Sequence, residues 1–203
     1  MSGASLEHLA AVDPVLRGLS AQYELPALTP DPRLFRTLVR SIVSQQLSSA
    51  GAVAILRRVE ALFPEEAPFN ASALAALDDD TLRATGLSRA KVVAVQDLAA
   101  HVLDGRLDLE RMETLGDEEI IQELVAVRGI GRWTAEMFLI FSLGRPDVLP
   151  VDDYCVRNAV KRAYGLEALP NKRDLVAIAT PWHPYCSTAS LLLWRSLDNR
   201  PVR

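Results

Sequence analysis

The stretch "LVAVRGIGRWTA", residues 124–135, sets two glycines one residue apart between segments that otherwise favour helix. Glycine weakens a helix on either side of a break, so this turn requires backbone that no side chain obstructs. On its N-terminal side Asp117 reads as an N-cap, Glu118 and Glu119 suit a first turn, and Ile120, Ile121, Leu124, Val125 and Val127 form an apolar stripe. On its C-terminal side Trp133, Ala135, Met137, Phe138, Ile140 and Phe141 are apolar on nearly every side up to Gly144, which predicts a buried helix. The amides of Gly129, Gly131 and Thr134 would open that helix, where the dipole and unpaired donors favour phosphate. An ordinary tight connection between two helices satisfies the same pattern.

Helical spacing extends outward from this turn through nearly the whole chain of 203 residues, as in Leu34, Leu38 and Ile42, while strand-like alternation is nearly absent. Proline, glycine and capping residues interrupt it at "LPALTPDPR", "LFPEEAPFN", "ATGLS", "LDGRLDLE", "LGRPDVLPVDD", "AYGLEALPNK" and "ATPWHPY". The expectation is an all-α fold of about nine or ten helices. No apolar run approaches the ~20 residues of a membrane span, and "MSGASLEHLA" lacks the basic flank and apolar centre of a signal peptide, so a cytoplasmic protein is expected.

Composition restricts the chemistry. Two cysteines, Cys155 and Cys186, are too few for a disulfide framework or a four-cysteine iron–sulfur cluster, and both read as buried small hydrophobes. His8, His101 and His183 are scattered along the chain, so no metal-ligand set is visible. A net charge of −4 argues against a generic phosphate binder but leaves room for a local site. The basic groups at Arg57 and Arg58, at Arg89 and Lys91, and at Lys161 and Arg162 read as solvated helix faces.

An apolar helix, "RGIG", "RWTA", and then "LPVDDYCVRNAV" about twenty residues on resembles the helix–hairpin–helix DNA glycosylase superfamily with its downstream catalytic aspartate. Four segments carry the resemblance in order: "LVRSIVSQQLSS", "GLSRAKVVAVQDLA", "VRGIGRWTAEMFL" with "PVDDY", and "PWHPYCSTASLLLW". They are most similar to the alkylation-repair branch, 3-methyladenine DNA glycosylase II, in its compact form without an N-terminal mixed α/β domain. The resemblance implies two helical lobes flanking a cleft. One would span 34–147 and include the hairpin; the other would join 1–33 to 148–203.

It also implies site residues. Gly129, Gly131 and Thr134 would grip phosphate through backbone amides, and Gln45, Gln46 and Leu47 would fill the gap left by a flipped base, with either Gln46 or Leu47 as the wedge. The carbonyls of Val125, Val127 and Ile130 would hold a monovalent cation, Na+ or K+. Trp133, Tyr154, Trp194 and Trp182, with Tyr185, would shape an aromatic pocket for a cationic, electron-poor alkylated purine. Asp153 would stabilise the sugar cation and orient water; in the register of the lyase branches Asp152 would take that place. If Asp153 is the catalytic residue, Asp152 is expected to be only a helix cap.

Lyases such as endonuclease III and 8-oxoguanine glycosylase carry a Schiff-base lysine two residues beyond the second hairpin glycine, and here that position is Trp133. The implied enzyme is therefore a monofunctional glycosylase that needs no cofactor and acts as a monomer on double-stranded DNA containing alkylated bases. Two alternatives stand beside it: a non-catalytic helix–hairpin–helix DNA-binding protein, and a helical protein-interaction scaffold.

Overall fold

The computed structural model describes residues 3–25, 30–63 and 69–197. Among them there are twelve α-helices and one 3-10 turn, and no strand. The excess over the expected nine or ten has a local cause. Asp13 and Pro14 split the first helical segment into α1 (Gly3–Val12) and α2 (Pro14–Gln22), and two short capped helices, α5 (Ala71–Ala75) and α6 (Asp79–Ala84), fall where no periodic signal accumulates. The remaining helices are α3 (Leu34–Ser44), α4 (Ser49–Glu60), α7 (Arg89–Leu103), α8 (Asp117–Val125), α9 (Arg132–Phe141), α10 (Tyr154–Ala163), α11 (Lys172–Ala179) and α12 (Cys186–Leu197). No helix among the described residues is long and apolar enough to cross a membrane.

The chain forms two compact units, one of residues 31–138 and one joining 1–30 to 139–203. Residues 139–147, expected with the hairpin, group instead with the unit built from both ends of the chain. Their hydrogen bonds explain this. The Ser187 amide donates to the Pro146 carbonyl at 3.0 Å, the Ser187 hydroxyl donates to the Arg145 carbonyl at 2.7 Å, and the Val148 amide donates to that hydroxyl at 3.0 Å.

In the unit of both ends, Leu9 and Leu16 pack with Val156, Val160, Leu175, Trp182 and Leu192 in one fully buried cluster. Asp13 organises it. One carboxylate oxygen caps α2 through the amides of Val15 and Leu16, and the other accepts the Trp182 indole N–H at 3.0 Å and the Tyr164 hydroxyl. Burial raises the Tyr164 pKa, and the bond to Asp13 raises it further. Trp182, expected in the pocket, is thus a core residue with no exposed surface. Cys186 is buried as expected, but Cys155 is exposed, because it lies on the outward face at the start of α10.

In the other unit, α3 turns Phe35, Leu38, Val39, Ile42 and Val43 inward, α7 contributes Val92, Val95 and Leu98, and α8 contributes Ile120, Ile121 and Leu124. The cap of α8 is Gly116, not Asp117. Its amide donates to the Glu119 carboxylate at 2.8 Å, so the first-turn acid closes the helix end from inside.

Candidate active site and nucleic-acid interface

The turn between α8 and α9 answers for its two glycines separately. Gly129 has φ +83°, and a Cβ built there would stand 3.0 Å from the Ala94 Cβ of α7, so both backbone and packing demand glycine. Gly131 has neither constraint. Its φ is not positive, and a Cβ would meet nothing within 4 Å. The protein's own packing gives no reason for a bare backbone at Gly131, and the space beside it faces outward.

The first backbone bond at the start of α9 runs from the Ala135 amide to the Gly131 carbonyl, at 3.0 Å. The amides of Gly131, Arg132 and Thr134 therefore lie ahead of the helix's own ladder. Arg132 brings no spare charge to this end. Its guanidinium forks onto Glu118 with two bonds of 2.8 Å and reaches Glu136 at 3.1 Å, and these carboxylates raise its pKa further. Of the three carbonyls considered for a cation, that of Val127 already accepts the Ile130 amide at 3.1 Å. Neutral carbonyl oxygens with one lone pair to spare suit a hard cation.

The segment after α3 is fastened to this hairpin. The Gln45 side-chain amide donates to the Gly129 carbonyl at 2.8 Å, while Lys91 Nζ donates to the Val43 and Gln45 carbonyls at 2.7 Å each. Gln45 is thus a tie between turn and hairpin. Lys91, expected on a solvated face, holds the open C-terminal carbonyls of α3, and burial lowers its pKa. Gln46 follows at φ +57°, a left-handed conformation strained for a residue with a side chain. Gln46 and Leu47 are both exposed at the tip that this strain presents.

Asp153 caps α10 in the other unit. Its Oδ1 accepts the Val156 amide at 2.7 Å and the Trp194 indole N–H at 3.0 Å, and the residue is 7% exposed. Both N–H donors meet on this one oxygen, at the N-terminus of α10. Its field is felt next door: burial, and then the Asp153 charge, raise the Cys155 thiol pKa. Asp152 is not the cap. It is exposed and pairs with Lys172 at 2.6 Å.

Around Asp153 stand a half-buried Trp194 and a Tyr154 that is 65% exposed. Trp194 is stacked on Phe141, with centroids 5.7 Å apart and planes 26° from parallel. Phe141 was expected inside a buried helix, yet it is 43% exposed beside this tryptophan. Trp133 is also exposed, at 47%, in the first turn of α9 and within the hairpin unit. The structure thus joins Asp153, Tyr154 and Trp194 in one unit and Gln45, Gly129 and the start of α9 in the other.

A helical hairpin with an outward-facing glycine is thus followed by a buried aspartate that caps the next helix. Residues 39–184 match the model of the HhH-GPD superfamily of base excision DNA repair proteins, and the chain belongs to that superfamily. Among its relatives, DNA-3-methyladenine glycosylase 1 of Schizosaccharomyces pombe is 33% identical over 174 residues, 83% of this chain and 76% of that protein. YfjP of Bacillus subtilis is 34% identical over 188 residues, 89% of this chain but 66% of its own length. Two solved structures superpose with TM-scores of 0.83. The S. pombe 3-methyladenine DNA glycosylase Mag1 in complex with abasic DNA is 30% identical and covers 96% of this chain and 97% of its own. The DNA-3-methyladenine glycosidase of Bacillus halodurans is 35% identical and covers 98% and 90%.

Proposed function

We propose that this chain is a monofunctional DNA glycosylase that excises alkylated purines of the 3-methyladenine and 7-methylguanine type from double-stranded DNA, the first step of base excision repair. The observation that carries this reading is the buried Asp153 carboxylate, held by a helix-end amide and by the indole of the stacked Trp194. A fixed anion of this kind stabilises the oxocarbenium-like sugar formed as the base departs and orients the water that completes hydrolysis. The aromatic faces of Trp194 and Tyr154 take an electron-poor base by stacking and cation–π attraction. The hairpin amides hold backbone phosphate, with Na+ or K+ on the Val125, Val127 and Ile130 carbonyls adding positive charge there. Gln46 or Leu47 fills the vacated place in the duplex. Excision needs no cofactor, and the enzyme acts as a monomer in the cytoplasm.

An excision panel on defined duplexes tests the reading directly. Release of free methylated base is the expected result, and borohydride traps no covalent complex because Trp133 stands where lyases carry the amine. Binding without base release would leave the non-catalytic hairpin protein as the better description, and efficient trapping would mean that another amine attacks the sugar.

The glycine pair offers a second test, of the phosphate grip. Gly131→Asp places bulk and negative charge in open space, so the melting temperature holds while affinity for every duplex, damaged or intact, falls by about tenfold or more. Gly129→Ala instead lowers stability by about 1–2 kcal/mol, the penalty for a side chain in the left-handed region. Gel-shift titration and thermal melting distinguish the two; a Gly131→Asp defect confined to one lesion would remove the hairpin from general DNA binding.

A further inference from the structure

At the N-terminus of α12, three chemically distinct side chains converge on one point. His183 Nδ1 lies 2.9 and 2.8 Å from the two Asp147 oxygens, and Cys186 Sγ lies 3.6 Å from the same nitrogen. The possible ligand atoms of the three all fall within 4.8 Å of one another. The Cys186 amide donates to Asp147 Oδ1 at 3.2 Å, which fixes the carboxylate against the helix end.

A Cys–His–Asp set invites comparison with a proton relay, and the geometry argues against one. In a relay the carboxylate holds one ring nitrogen and the nucleophile faces the other. Here the carboxylate and the nearer sulfur approach share Nδ1, with Nε2 at 3.8 Å from the sulfur.

We infer that Asp147, His183 and Cys186 form a three-ligand site for a divalent transition-metal ion of the zinc class, independent of the excision chemistry. With metal–sulfur near 2.3 Å and metal–nitrogen near 2.0 Å, tetrahedral ligation places S and N about 3.5 Å apart, close to the separation present. The carboxylate withdraws by about half an ångström as the ion replaces the hydrogen bond it shares with the imidazole. A thiolate, an imidazole and a carboxylate match a borderline cation; magnesium and calcium prefer all-oxygen sets. Two anionic ligands also balance the charge of a dication. On binding, the Cys186 proton leaves to solvent and the imidazole proton moves from Nδ1 to Nε2. The His183 side chain is 53% exposed, so an ion has a path in and a fourth position for water.

Cobalt(II) is the probe, added to protein carrying no histidine tag. A thiolate-to-cobalt charge-transfer band is expected, saturating at one equivalent and bleached by zinc. It persists in Cys155→Ala and disappears in Cys186→Ser. His183→Ala, at an exposed position, keeps the fold by circular dichroism while weakening cobalt binding by at least about tenfold. Zinc raises the melting temperature of the wild type and not of His183→Ala. Absence of the band in the folded wild type, or its survival in Cys186→Ser, overturns the site.

Discussion

Asp153→Asn yields a folded protein that still binds damaged DNA and excises alkylated bases on the order of 100- to 1000-fold more slowly. The asparagine oxygen replaces Oδ1 as acceptor for the Val156 amide and the Trp194 indole, so cap and tryptophan stay in place. What is removed is the negative charge that the departing base leaves the sugar to face. Asp152→Asn removes only half of an exposed ion pair with Lys172, worth at most about 1 kcal/mol, and should cut normally. Single-turnover excision beside thermal melting separates the outcomes. A slow Asp152 variant with a normal Asp153 variant would move the chemistry by one residue; two normal variants would remove its centre.

Trp182→Ala has the largest expected effect on stability, about 3–5 kcal/mol from the cavity alone. It also takes from Asp13 a donor that its buried carboxylate uses, which adds to the loss. At roughly 2–4 °C per kcal/mol for a chain of this size, the melting temperature falls by about 10 °C. Trp194→Ala behaves differently: it retains most of the stability and loses discrimination among damaged bases. If Trp182→Ala melted normally while base selection changed, Trp182 would belong to the pocket after all. The comparison is made by calorimetry and by the excision panel.

These two tryptophans mark where the sequence could be read and where it could not. Composition and order placed both near the same helix, and nothing in the letters distinguishes an indole that bonds Asp13 from one that bonds Asp153. That difference is set by partners about 170 and 40 positions away. The hairpin was legible because its signal is local: two glycines between two apolar periods. Even there, the different reasons for Gly129 and Gly131 emerged only with Ala94 in view.

Lys91 carries a signal of its role in its own sequence position. A cation in the first turn of a helix opposes the helix dipole, and such a local conflict marks a residue recruited by tertiary structure. Asp147, His183 and Cys186 escaped for the opposite reason. His183 and Cys186 are three apart, but their carboxylate comes from 36 positions upstream, a spacing no ligand motif contains.

The pairing of Asp13 with Trp182 bears on how the chain acquires its structure. Residues 31–138 are complete, with their own buried helices, before any ribosome has made the partners of α1 and α2. Leu9 and Leu16 wait uncovered for Val156, Trp182 and Leu192. Closing so long a loop is an entropic toll paid only once α12 has been made. Helices α1 and α2 are consequently secured only after the helices of residues 31–138, and until then they stay open to chaperones, proteases and premature association.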